Sequence, residues 1–199
     1  MRSETSTSAA ATEAALRRAH SSDAPAILSL VETNLEAGHL LPRGLEELMA
    51  HAPRFLVIEA DARVVACAEL APLSRLVAEV RSLVVDGAFR GRGLGSSLIE
   101  ALQEWARREG FATLCAFTHE PSVFVRLGFS IVPHQWIPEK IMTDCVGCPK
   151  FRICGQYATA LSLPDAAHDG DVTRVRSSAL PPISRPTAEP PSRSFQVLA

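Results

Sequence analysis

The stretch that most constrains this chain is Ala78 to Gly95, AEVRSLVVDGAFRGRGLG. Ala78 to Val85 is rich in Val and Leu and closes on Asp86-Gly87, which predicts a strand. Arg90 to Gly95 carries two arginines and three glycines, a basic loop. From Ser96 to Arg108 the apolar residues Leu98, Ile99, Leu102, Trp105 and Ala106 recur at helical spacing. A helix start leaves backbone N–H groups without partners and carries partial positive charge. Glycines let the backbone come close to a ligand and take up positive φ. Strand, basic glycine-rich loop and helix in that order suit an anion, a pyrophosphate especially. Gly and Arg also fill ordinary turns, so the loop alone leaves both readings open. No Gly-Lys-Ser/Thr follows, which excludes a P-loop, and the Gly-x-Gly-x-x-Gly dinucleotide spacing is absent.

The 199 residues suit one domain with a real core. A formal charge of −2 gives no nucleic-acid footprint, and no basic helix points to a membrane surface. No apolar run reaches the roughly 18 residues that span a bilayer. MRSETSTSAAATEAA lacks the apolar stretch of a signal peptide, so a cytoplasmic enzyme is expected. Five cysteines, an odd count, argue against a full disulfide framework.

Along the chain, residues 1–13 are Ser, Thr and Ala and predict a disordered tail. Ala14 to Ala19 reads as a first strand. Ser21-Ser22-Asp23 and Pro25 then open a helix that buries Ile27, Leu28, Leu30, Val31 and Leu35 and ends near Gly38. A short helix is expected over Leu45 to Ala50. Strands are expected over Arg54 to Ala60 and Arg63 to Leu70, joined by Asp61-Ala62; their weak alternation suits a sheet covered on both faces. Further on come a strand over Phe111 to Thr118, a short helix over Pro121 to Leu127 and a strand over Ile131 to Trp136. The stretch 137–162 reads as a cysteine-containing flap with Cys145, Cys148 and Cys154. The Pro- and Ser-rich residues 163–199 predict a second disordered tail.

The strand, Asp86, the basic loop and the following helix resemble the acetyl-CoA site of the GNAT N-acetyltransferase superfamily. That family's signature is Arg/Gln-x-x-Gly-x-Gly/Ala, matched here by Arg90, Gly93 and Gly95. Phe124-Val125-Arg126-Leu127-Gly128-Phe129 is similar to the family's helix that ends in Gly-Phe before a strand. The likeness runs over roughly residues 14 to 160. It implies an α/β (α+β) GNAT fold over 14–162: a mixed central sheet, splayed at the acetyl-CoA site, with flanking helices. It also implies a bulge from which the backbone of Leu83, Val84 and Val85 bonds the pantetheine arm. Arg90, Gly91, Arg92, Gly93, Leu94, Gly95 and Ser96 would cradle the pyrophosphate. Acetyl-CoA is then the co-substrate, no metal is expected, and a homodimer is common in the family.

Four stretches resemble the short form of bacterial N-acetylglutamate synthase: AGHLLPRG (37–44), AEVRSLVVD (78–86), the helix ending Leu127-Gly128-Phe129, and IPEKIMTDCVGCPKFRIC (137–154). This resemblance implies acetylation of the α-amine of L-glutamate, the step that opens bacterial arginine biosynthesis. Met142 stands where that family often has an aromatic residue, and Gly155 where it has an acidic one. The competing readings are a GNAT enzyme for another small amine or a protein N-terminus, and a non-catalytic acyl-CoA sensor.

The chemistry asks for a neutral amine, donors for a developing oxyanion and a protonatable thiolate. Glutamate brings two carboxylates, so Arg43, Arg81 and Lys140, which lie in the family-like segments, are the candidate anchors, with Thr118 adding a hydroxyl. Glu79 is the candidate catalytic base, its alternative role being an ion pair with Arg81. Phe124 stands near where many GNAT enzymes place a tyrosine acid, and the one tyrosine, Tyr157, lies beyond the cysteines. The Cys-x-x-Cys pair is not repeated, so reduced thiols packing the flap fit better than a zinc site completed by His134.

Overall fold

The computed structural model describes residues 14–35, 40 and 42–164. The expected tails at 1–13 and beyond 164, and Gly38, lie outside those residues. A seven-stranded sheet runs in the order β1-β2-β3-β4-β5-β7-β6. Its strands are β1 (Ala15–Arg18), β2 (Phe55–Ala60), β3 (Arg63–Pro72), β4 (Val77–Val85), β5 (Thr113–Thr118), β6 (Ser130–Val132) and β7 (Tyr157–Ser162). Only β4 and β5 pair in parallel; the other neighbours are antiparallel. Helices α1 (Ala24–Glu32) and α2 (Leu45–His51) cover one face. The other is covered by α3 (Leu94–Arg108) and α4 (Ser122–Arg126). Cover on both faces explains the weak alternation: β3 is buried from Val65 to Ala71.

The α3 face holds the main core. Leu98, Ile99 and Leu102 are fully buried against Ala66, Leu70, Ala78, Val80 and Leu114. Each such side chain contributes about 1.5–3 kcal/mol. The α1–α2 face packs Ile27, Val31 and Leu48 on Phe55, Val57 and Cys67. A third, smaller cluster seats Ile137, at the head of the C-terminal flap, on Cys115 and Ala158.

Several boundaries move for local reasons. Helix α1 stops at Glu32 rather than near Gly38, because Thr33 Oγ1 donates to the Ser29 carbonyl (2.9 Å) and Asn34 Nδ2 to that of Leu30 (2.7 Å). Helix α3 starts at Leu94, two residues before Ser96, since Gly93 takes φ 81° and caps it. Strand β5 starts at Thr113 rather than Phe111. Gly110 (φ 81°) donates to Arg107 and Phe111 donates to Ala106, so both residues are used in closing α3. Pro133, which has no N–H, ends β6 at Val132, and His134–Trp136 form a helical turn instead of the expected strand. The flap contains a strand that the sequence reading missed: β7, inserted between β5 and β6. Leu163, assigned to the tail, is buried and its N–H bonds the Ala112 carbonyl (2.8 Å).

Candidate active site

The cleft opens where β4 and β5 part. They pair only at Val77–Thr113, Ala78–Leu114 and Glu79–Cys115, although β4 continues to Val85. On its other side β4 slips against β3: Cys67 faces Val84 and Glu69 faces Arg81, which leaves Ser82 and Leu83 opposite Ala68 alone. Ser82 sits at φ 48°, a left-handed conformation uncommon for a non-glycine residue. This is a bulge, and it turns the strand away from β5. Leu83, Val84 and Val85 therefore present an edge toward β5 that carries no sheet pairing. Beneath the bulge, Cys67 Sγ lies 3.5 Å from the Ser82 carbonyl, and burial pushes that thiol up to about 12.

Beyond β4 the loop reaches α3. Gly91 (φ 74°) and Gly93 (φ 81°) let it turn, and the first-turn amides of Leu94, Gly95 and Ser96 precede the first intrahelical bonds. Arg90 Nε donates to the Val85 carbonyl (3.2 Å), and its Nη2 donates to Asn34 Oδ1. Arg92 Nη2 donates to the Ala88 carbonyl (3.1 Å), with its guanidinium 4.9 Å from the Phe89 ring centre. Residues 90–93 are exposed, so this positive corner faces solvent. An unpaired strand edge, free helix-start amides and two exposed guanidinium groups fit a diphosphate ester on an extended arm.

On the opposite face of β4 lies an ionic corner. Lys140 Nζ, on the short helix α5 (Pro138–Lys140), donates to Glu79 Oε1 (2.8 Å) and Oε2 (2.9 Å) and to Asp144 Oδ2 (2.9 Å). Arg81 Nε donates to Glu79 Oε2 at 2.6 Å, and Arg81 Nη2 to Asp144 Oδ2. Glu79 is 3% exposed. Burial by itself lowers the Arg81 pKa, but Glu79, Asp144 and Glu69 outweigh it and hold the guanidinium above its ordinary value. Cys115, Glu79's neighbour on β5, is raised by burial first and by the Glu79 charge next, which keeps it a thiol. The Lys140 ammonium also sits 5.3 Å from the Phe117 ring centre.

A second network lies beside it under α2. Arg43 Nη1 donates to Glu69 Oε2 (2.9 Å) and Ser82 Oγ (3.0 Å). Its Nε is 2.8 Å from Glu47 Oε1, but not aligned for a hydrogen bond. His51 Nδ1 stands 3.3 Å from Glu69 Oε1. Glu69 is 1% exposed. Arg43 thus ties the entry of α2 to the bulge.

Of the expected acceptor residues, the fold brings Arg81 and Lys140 together with Glu79 and places Arg43 one step along the same face, bound to Glu69. It does not bring Thr118 to them. By alternation Thr118 shares the α3–α4 face with Leu114 and Ala116, and its Oγ1 accepts from the Glu120 amide (3.0 Å). Tyr157 returns beside it as the register partner of Thr118. The sequence reading missed Asp144, Glu69, His51 and Ser82. Only Asp144 had a local signal, its four-residue spacing from Lys140. The thiol of Cys145 is raised by burial, with Lys140 opposing and Cys154, Asp144 and Cys148 adding. Among the described residues, no group of three or more His, Cys, Asp or Glu side chains is arranged to hold a metal ion, and no helix is long and apolar enough to cross a membrane.

A splayed parallel pair, a bulge and a glycine-capped helix start are the donor-side features of the GNAT fold. The sequence matches the acetyltransferase (GNAT) family over residues 14–129, and the chain belongs to that family. It is an acetyl-CoA-dependent N-acetyltransferase. It is 31% identical over 153 residues to an uncharacterized N-acetyltransferase of Chlorobaculum tepidum, covering 77% of this chain and 99% of that one. An amino-acid acetyltransferase of Mycobacterium tuberculosis is 35% identical over 119 residues, 58% of this chain and 67% of that one. The N-acetylglutamate synthase of Neisseria gonorrhoeae, solved with coenzyme A and N-acetyl-glutamate, superposes with TM-score 0.68 at 26% identity. That match covers 77% of this chain and 36% of the Neisseria chain.

Proposed function

We propose that this chain transfers the acetyl group of acetyl-CoA to the α-amine of an acidic amino acid, L-glutamate foremost, forming N-acetylglutamate. The observation that carries the reading is the convergence of Arg81 and Lys140 beside the last paired residues of β4 and β5. There a carboxylate-bearing acceptor would meet two donors of charge-assisted hydrogen bonds. The likeness to amino-acid acetyltransferases and to a synthase solved with N-acetyl-glutamate supports it.

Acetyl-CoA supplies a thioester carbonyl, which a neutral amine attacks with release of the CoA thiolate. The protein's part is to hold and orient. The free edge at Leu83–Val85 takes the pantetheine arm as an added strand. Arg90, Arg92 and the amides of residues 93–96 take the pyrophosphate. Arg81 and Lys140 take the acceptor's carboxylates. Lys140 and Arg81 fill three of the roughly four acceptor positions of the Glu79 carboxylate. The fourth, on Oε1, is where the amine's proton leaves, directly or through a water. Arg43 acts one layer back, holding Ser82 and the bulge in place. A second reading, a cationic amine acceptor, draws on the carboxylates of Glu79, Asp144 and Glu69 on the same face.

CoA release from acetyl-CoA, followed across the twenty amino acids and a set of polyamines, tests both. A rate confined to glutamate is expected. A rate with polyamines but none with glutamate, at high enzyme, would overturn the first reading in favour of the second.

A further inference from the structure

The ionic corner contains one group that the proposed reaction does not use. Asp144 Oδ2 accepts from both Lys140 and Arg81, the same two cations that Glu79 holds. The two carboxylates differ in exposure. Glu79 is buried in the middle of β4, whereas the Asp144 side chain is 34% exposed. Of the two carboxylates held by Arg81 and Lys140, Asp144 is therefore the one with which a carboxylate arriving from solvent can exchange.

The supports of the two carboxylates differ as well. Glu79 is paired on both sides, to Ala71 on β3 and Cys115 on β5. Asp144 rides on a single wide turn, Ile141–Cys145, closed by the Val146 N–H on the Ile141 carbonyl at 3.2 Å. Its neighbours Met142 and Val146 are largely exposed, and no residue of the turn is buried. A segment with few buried contacts opens locally at low cost. Charge is balanced too: two cations face two carboxylates. Glutamate at neutral pH has a net charge of −1, so exchanging it for the Asp144 carboxylate leaves the corner neutral.

We infer that Asp144 is a displaceable counter-ion of the acceptor site, holding Arg81 and Lys140 until a carboxylate-bearing acceptor takes its place. It is a specificity-determining residue: an amine without a carboxylate has no group with which to replace it. The inference rests on the reading that these two cations receive the acceptor's carboxylate.

The test compares the full-length chain with Asp144→Asn and Asp144→Glu. Kinetics with glutamate give KM and kcat, and calorimetry with glutarate, a dicarboxylate with no amine, gives carboxylate affinity without turnover. Removing one partly exposed competitor should lower both the glutamate KM and the glutarate Kd about fivefold in Asp144→Asn, with the change in KM rather than in kcat. Asp144→Glu keeps the charge and should keep the glutarate affinity of the natural chain. A glutamate KM and glutarate Kd that rise in Asp144→Asn, or glutarate bound by no variant, would overturn the inference; a rise would make Asp144 a fixed part of the binding wall. If no amino acid is acetylated yet glutarate binds more tightly to Asp144→Asn, the functional reading fails and the counter-ion role stands.

Discussion

The two sides of the β4–β5 cleft are made of different material. The donor side is mostly backbone, joined by the Arg90 and Arg92 side chains, from one contiguous stretch, the bulge at Ser82 through the first turn of α3, with glycines at Gly91 and Gly93 setting its course. The acceptor side is side chains from distant parts of the chain. Arg43 meets Glu69 and Ser82 across 26 and 39 positions, and Lys140 and Asp144 meet Glu79 and Arg81 across 61 and 63. A backbone site depends on conformation and tolerates changes of side chain; a charged site depends on every partner being matched.

Glu79→Ala should break the acceptor side most severely. It removes the carboxylate between two cations, so kcat should fall about 10²–10⁴-fold. Unfolding in urea should show a loss of about 3–5 kcal/mol, because Arg81 and Lys140 lose their buried partner. A kcat within threefold of the natural chain would separate Glu79 from the chemistry.

Arg43→Ala should cost nearly as much stability, about 3–5 kcal/mol, by taking the guanidinium from the buried Glu69 and leaving it beside His51. The double variant with Glu69→Gln should recover most of it. The kinetics sharpen the comparison. If Arg43 serves the bulge through Ser82, the KM for acetyl-CoA rises; if it anchors the acceptor, the glutamate KM rises instead.

On the donor side the two glycines should part company. A Cβ at Gly93 meets nothing within 4 Å, but its φ of 81° costs a β-branched residue about 1–2 kcal/mol. Gly93→Val should lose that stability in urea and raise the acetyl-CoA KM about tenfold, roughly 1.4 kcal/mol of lost binding. Gly95 has no such φ, and a Cβ there would meet Val85 Cγ2 at an ordinary 3.8 Å. Gly95→Ala should therefore stabilise the fold by up to about 1 kcal/mol. A rise in acetyl-CoA KM beside that gain would mark Gly95 as a glycine kept for the ligand; an unchanged KM would remove it from the site.

A control outside both sides has the smallest effect. Arg17 donates to Asp23 (2.7 and 3.0 Å) and Glu59, and its hydrogen bond holds the Asp23 carboxyl below the usual range against the effect of burial. A depressed folded pKa contributes stability above the unfolded value near 3.9, lost as pH falls through the folded value. Arg17→Ala should cost about 1 kcal/mol at pH 7 and less below pH 4, with both CoA and acceptor KM unchanged.

Legibility followed the same division. The strand, basic loop and α3 were readable because their signals are local: β-branched residues ending at Asp86-Gly87, glycines, and an apolar face at Leu98, Ile99 and Leu102. Strand β7 was not, because Tyr157–Ser162 alternates small Ala residues with Thr and follows a cysteine-rich stretch. Glu79 and Arg81, two apart on one strand, were readable as an ion pair, but nothing in the spacing says that Lys140 joins them, and Asp144 was passed over as a flap residue.

What the sequence determined by itself is the donor loop, since a positive φ, a capped helix and unpaired first-turn amides are properties of consecutive residues. What only the tertiary structure decided is the acceptor corner. Plain alternation along β4 puts Val84 on the face of Ala78 and Val80. The bulge at Ser82 reverses that, sending Leu83 and Val85 to the α3 core and Val84 to the α1–α2 core. Ion pairs form between groups that the fold brings within reach, whatever their separation along the chain.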